Sequence, residues 1–148
     1  MGPRPGLVHA RRRVRAVQVH RGVTRIVLLV GRWAVKVPSL GAHQQGLRGV
    51  LWSLTRGIQA NLSECEWSGS PGTCPVLWSA AGLVNLYPRC EPVADGFEVD
   101  WDSIGFLAPV DRKPENVGWL RGALVLLDYD MSWNDCVACR RFGFTADG

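Results

Sequence analysis

A chain of 148 residues has room for one domain with a real core. Its hydrophobic content of 47% and its seven Trp exclude a disordered chain. No apolar run reaches the ~18–20 residues that a membrane-spanning helix needs. The net charge of +4 hides a strong asymmetry: no Asp or Glu precedes Glu64, against ten Arg and one Lys, so residues 1–63 carry +11. The rest holds all 13 acids and six basic residues, a balance of −7 (6 − 13). Halves of opposite sign should attract across whatever cleft divides them, and a basic half offers a surface to polyanions.

Residues 1–13 hold Pro3, Pro5 and the run Arg11–Arg13, and read as a basic flexible tail. No signal-like apolar core follows these arginines, because Val14–Val23 is broken by Arg, Gln and His, so a cytoplasmic protein is expected. Val14–Val19 alternates and predicts a first strand. Arg25–Val30 and Trp33–Val37 predict a hairpin turned at Gly31-Arg32, with Lys36 on the face opposite Val35 and Val37.

From about His43 to Trp67, apolar residues from Leu47 to Cys65 recur at helical spacing. Gly57 is a candidate break between two helices. Asn61 and Glu64 are i, i+3 neighbours beside that stripe. After the loop Ser68–Thr73, a second hairpin is predicted from Pro75–Ser79 and Leu83–Tyr87. Asp100–Leu107 reads as a short helix or strand, and Ala123–Leu127 as a buried strand.

Five Cys, an odd number, argue against a secreted disulfide framework. Cys136 and Cys139 form a lone C-x-x-C, for which Cys65 and Cys74 are candidate companions at a zinc ion. Lysine is scarce: of 17 cationic residues only Lys36 and Lys113 are Lys. A lysine kept in an arginine-rich chain marks a place where a compact ammonium serves better than a wide guanidinium fork, and a tight phosphate site is such a place.

Around the strand 123–127 the chemistry is dense. Asp111, Lys113 and Asn116 fall within D-R-K-P-E-N, and Asp128 stands at the strand's end in L-L-D-Y-D. The six-residue run alone reads equally as a turn whose Asp and Asn cap backbone groups. Taken in order, the two motifs resemble the catalytic loop H-R-D-L-K-P-E-N and the D-F-G of protein kinases, and W-A-V-K-V at Trp33–Val37 resembles the V-A-I-K strand. Glu64 lies where the helix glutamate of that family is expected. The likeness runs from about Arg25 to Asp130.

The resemblance implies an α+β, kinase-like fold: a small antiparallel sheet with one main helix and a strongly reduced C-lobe, of a kind expected from a phage or bacterium. Residues 14–148 would form one such domain, with 14–88 as the N-lobe-like part and 89–148 as the minimal C-lobe-like part. It implies ATP and Mg²⁺ as cofactors. Lys36 would hold the α/β-phosphates and be oriented by Glu64. Asp111 would accept the acceptor's proton, Lys113 would steady the γ-phosphate, and Asn116 and Asp128 would hold the metal. Backbone atoms of Asn85, Leu86 and Tyr87, up to Pro88, would meet the adenine.

Departures from the pattern are equally specific. No G-x-G-x-x-G precedes Lys36, Pro109 and Val110 stand before Asp111, and Asp130 replaces the glycine of D-F-G. Two function classes follow. One is a kinase-like phosphotransferase acting on an unknown acceptor. The other is a catalytically inactive, pseudokinase-like binding module for nucleotide, protein or nucleic acid. A protein partner or a second copy of the chain would supply the missing acceptor platform, and nucleic acid would be met by the arginine-rich N-terminus. No membrane partner is expected.

Overall fold

The computed structural model describes residues 17–22, 24–41, 46–106 and 110–129. The tail 1–13, Asp130 and the pair Cys136 and Cys139 lie outside the described residues. The protein is α+β, with two antiparallel sheets and one main helix. The first sheet contains β1 (Gln18–Arg21), β2 (Arg25–Val30), β3 (Trp33–Pro38), β4 (Trp78–Ala80) and β5 (Val84–Pro88), in the order β1-β2-β3-β5-β4. Helix α1 (Gly46–Trp67) connects β3 to β4 and packs on β3.

The hairpin at Gly31-Arg32 forms as its β-branched flanks predict, with Val27 opposite Lys36. Of the predicted first strand Val14–Val19, residues 14–16 lie outside the described residues. Only Gln18 and Val19 of that segment fall in β1, which extends to Arg21 to pair with Ile26.

Helix α1 corrects one expectation. Gly57 does not divide it: 22 residues run unbroken. A Cβ at this position would lie 2.4 Å from the carbonyl oxygen of Thr24 and 2.8 Å from Cα of Pro38. The glycine therefore lets the helix approach the sheet backbone. The face turned inward is also not the apolar stripe. Gly49, Ser53, Gly57, Ala60, Asn61, Ser63 and Glu64 are buried, while Leu47, Leu51, Trp52 and Leu62 are exposed, Leu47 at 75%. Small residues permit close contact, Glu64 meets Lys36 in the sheet, and the Asn61 amide meets the Gly82 carbonyl.

The second sheet is built from β6 (Glu91–Pro92), β7 (Val117–Leu120) and β8 (Ala123–Leu126), in that order. Of these, only the strand at Ala123 was expected. The β7–β8 turn, Arg121-Gly122, has φ of 52° and 83°, the doubly positive pattern of a type I′ hairpin. Asp100–Leu107 is neither helix nor strand where described, since residues 101–104 form turns. Ile104 nevertheless enters the core with Val117, Leu126 and Tyr129, and Phe106 meets Trp67 edge-on at 5.7 Å. The two sheets are joined through residues 72–74: Leu126 N–H donates to Gly72 O at 2.7 Å, and Cys74 N–H to Leu126 O at 2.9 Å. No helix among the described residues is long and apolar enough to cross a membrane.

Candidate functional site

Lys36 lies in the middle of β3, between β2 and β5, and its side chain points to the helix face of the sheet. Only 6% of the residue is exposed. Glu64, on the inner face of α1, is 0% exposed. The Lys36 Nζ donates to Glu64 Oε1 at 2.7 Å and to Oε2 at 2.9 Å. Its third hydrogen goes to the carbonyl of Leu127, just past β8. An ammonium has three donors, so all of those on Lys36 are committed.

Glu64 gathers two further groups. The Tyr87 hydroxyl, from β5, donates to its Oε2. The Arg25 guanidinium, from the start of β2, stands with Nη1 2.9 Å from its Oε1 and donates from Nη2 to Asp128 Oδ1. Among the described residues, two cations and two carboxylates thus form one mostly buried group. Such burial is tolerated only where charges are paired and their remaining donors and acceptors satisfied. The Lys36 Nζ also sits 4.7 Å from the Tyr87 ring centre. Burial, then the nearby negative charge of Glu64, pushes the Tyr87 phenol well above its ordinary range.

Asn85 and Asn61 support this group from below. Asn85 Nδ2 donates to Asn61 O at 2.8 Å and lies 3.0 Å from the Tyr87 hydroxyl, and Asn85 Oδ1 accepts from Ser79 at 2.7 Å. Asn61 Nδ2 donates to Gly82 O at 2.8 Å. The backbone of Asn85 and Leu86 is enclosed on both sides: Asn85 is registered with Lys36 and Ser79, and Leu86 with Val35 and Trp78. Tyr87 pairs with Ala34, and its side chain serves the ion group.

Asp111, Lys113 and Asn116 form a second, exposed cluster. A 3-10 turn at Pro114–Asn116 brings Asn116 Nδ2 to 2.9 Å from Asp111 O. The Lys113 Nζ contacts Asp111 Oδ2 at 2.6 Å, with side chains 56% and 62% exposed. The hydrogen bond and charge of Asp111 raise the Lys113 ammonium, with smaller contributions from Glu115 and Asp128. Leu127 ties the clusters together. Its N–H donates to Asn116 O at 2.8 Å, and its own carbonyl receives Lys36. Leu127 thus links Lys36 of the buried ion group to Asn116 of the exposed turn.

Arg25 is the residue that sequence reasoning missed. It was one of ten arginines in the basic half, with no motif to mark it. The only available signal was the opposition of charge between halves, and the contact it makes to Asp128 spans 103 positions.

The donor set bears on the metal that the family resemblance implies. Asp128 faces a guanidinium, and Asn116 donates from its amide to the Asp111 carbonyl. Among the described residues no three His, Cys, Asp or Glu side chains are grouped for an ion. With Arg25 in this position, one oxygen of Asp128 is already paired with a guanidinium. A cavity of about 480 Å³ lies elsewhere, beside β7 and β8, lined in part by Phe97, Asp100, Ile104 and Trp119. None of the sequence-predicted site residues lines it. Cys74 lies beside Cys90 and Cys65 contacts the Asn85 side-chain oxygen, while Cys136 and Cys139, on which the zinc reading rests, lie outside the described residues.

Compared with known proteins, the chain matches no family model, no curated protein and no solved structure.

Proposed function

We propose that this chain is a kinase-like module that binds nucleotide phosphates at the Asp111–Asn116 turn, with its deeper cations self-paired. One observation carries the reading. Lys36, Glu64 and Asp128, taken from three separate segments in the order of the kinase motifs, join one connected ion group beside the Asp-Lys-Asn turn. The pattern supports phosphate handling more than a plain structural ion pair, because the exposed end presents Lys113 with its pairing acid in solvent.

Of the two function classes, the geometry favours the binding module. Lys36 has no N–H left for a phosphate, and Arg25 pairs with one oxygen of Asp128, the acid that the resemblance assigns to a metal. Nucleotide binding in this reading draws on no metal. Phosphotransfer is the second reading, favoured by Asp111, whose exposed carboxylate stands beside Lys113 as a general base would stand beside a bound γ-phosphate.

Melting temperature in the presence of ATP tests the proposal. A ligand at ~100 times its dissociation constant stabilises by about 2.7 kcal/mol. ATP should raise the transition, AMP should raise it less, and Lys113→Ala should remove most of the difference. No rise with millimolar ATP, with or without Mg²⁺, would overturn it. Labelled-phosphate transfer that disappears in Asp111→Asn while ATP binding remains would decide for the second reading.

A further inference from the structure

Beyond the ion group, the molecule holds a second pair of reactive side chains that no motif marked. Cys74 follows the loop leaving α1, and Cys90 follows β5. Their sulfur atoms are 3.6 Å apart, and both cysteines are free thiols. Cys74 is 2% exposed, whereas Cys90 is half-buried. The other polar atom near both is the Pro88 carbonyl, at 3.7 Å from Cys74 Sγ and 3.9 Å from Cys90 Sγ. Among the described residues no third metal-ligating side chain joins them, so a tetrahedral thiolate site lacks half its ligands.

We propose that Cys74 and Cys90 are a dithiol that a small disulfide, such as oxidised glutathione, converts reversibly to an intramolecular disulfide. The half-buried Cys90 acts first. The hydrogen bond from Cys74 favours its thiolate, burial opposes this, and the positive charge of Lys36 assists. The Cys90 thiolate attacks one sulfur of oxidised glutathione, breaks its S–S bond and releases one glutathione thiolate. The glutathione thiolate released first takes the proton of the Cys74 thiol, which Cys90 and burial otherwise hold protonated; Cys74 attacks Cys90 Sγ, and the second glutathione leaves as its thiolate. Two protein thiols are oxidised, and one molecule of disulfide is reduced to two of glutathione. Bond formation requires the sulfurs to close from 3.6 Å to about 2.05 Å.

The link would sit at the junction of the two sheets. Cys74 N–H donates to Leu126 O in β8, and its carbonyl accepts from the Tyr129 hydroxyl at 2.6 Å. Cys90 leads directly into β6. Oxidation therefore fastens the end of β5 to the segment that carries the second sheet, and closes the loop around the β4–β5 hairpin.

The test uses the full chain with Cys136→Ser and Cys139→Ser, so that the C-x-x-C does not compete. It is incubated with oxidised glutathione, digested and mapped by mass spectrometry. The expected product is a Cys74–Cys90 cross-linked peptide, with Cys65 remaining a free thiol, a raised melting temperature, and full reversal by dithiothreitol. In Cys74→Ala the reaction should stop at a glutathione adduct on Cys90. Should that variant not fold, Cys90→Ser, which should leave Cys74 unmodified, serves in its place. Stable glutathione adducts without the cross-link, a cross-link through Cys65, or two thiols unchanged under conditions that oxidise a model dithiol peptide would each overturn the proposal.

Discussion

The Lys36–Glu64 group and the Asp111–Asn116 turn contain the same kinds of residue, yet they live under opposite physics. In the first, Lys36, Glu64 and Arg25 are enclosed and each has a fixed partner, while Asp128 reaches solvent; in the second, an ion pair of similar length stands in water. Enclosed pairs cost desolvation and contribute little net stability when intact, but leaving one member alone is severe. Exposed pairs are screened and contribute little in either case. The buried group is thus a structural commitment, and the turn is where a ligand can replace one partner by another at small cost. Motif residues that look equivalent in a sequence are divided by burial into those that hold the fold and those available for chemistry.

Removing the acid at the centre should have the largest effect. Glu64→Ala leaves Lys36 and Arg25 both short of their shared carboxylate, and should lower stability by about 3–5 kcal/mol. Urea denaturation measures this, and a loss below about 1 kcal/mol would show that water already reaches the group. Next is Gly57→Ala. Alanine is the better helix former by ~1 kcal/mol, but its Cβ would meet the Thr24 carbonyl at 2.4 Å. Overpacking of that kind costs about 1–3 kcal/mol, so the variant should be less stable. A gain would mean that the helix and sheet move apart freely.

Alkaline pH separates the regions more gently. Burial and the charge of Glu64 raise the phenols of Tyr87 and Tyr129. The folded chain keeps those protons at pH values where the unfolded chain has lost them. Their contribution is therefore complete below the ordinary phenol value of about 10 and declines as pH rises above it. The urea midpoint should fall between about pH 9 and pH 11, with a shallower fall in Tyr129→Phe. A flat profile would place both hydroxyls in water. The smallest effect belongs to the turn: Asp111→Asn should leave the melting temperature where it was. A clear drop there would remove the distinction between the two regions.

Much of the first sheet was legible in the sequence, because β-branched runs broken by Gly31-Arg32 and by Ala81-Gly82 carry local signals. Helix α1 was legible as a helix, but not in its orientation. Leu47, Leu51 and Leu62 of the apolar stripe are exposed and Val50, Leu54 and Ile58 half-buried, whereas pairing Glu64 with Lys36 turns the small and polar face to the sheet. A buried ion pair fixes a helix face that hydrophobicity alone assigns wrongly. Strands β6 and β7 carried little signal, being short and holding Pro92 and Gly118. Within the site, Lys36, Glu64, Asp111, Lys113, Asn116 and Asp128 were marked by motif order, and the structure strings them along Leu127. Arg25 was invisible, since only tertiary contact distinguishes it from its nine neighbours in the basic half.

Arg25 therefore offers the most direct measurement. Calorimetric titration of ATP into the wild-type chain and into Arg25→Gln, each with and without Mg²⁺, asks whether the guanidinium occupies the place of a metal. The account predicts that the wild-type chain binds ATP with the same Kd in both conditions, and that Arg25→Gln acquires a dependence on Mg²⁺. Wild-type binding that requires Mg²⁺ and is indifferent to Arg25→Gln, or no binding to either protein at millimolar nucleotide, would contradict it.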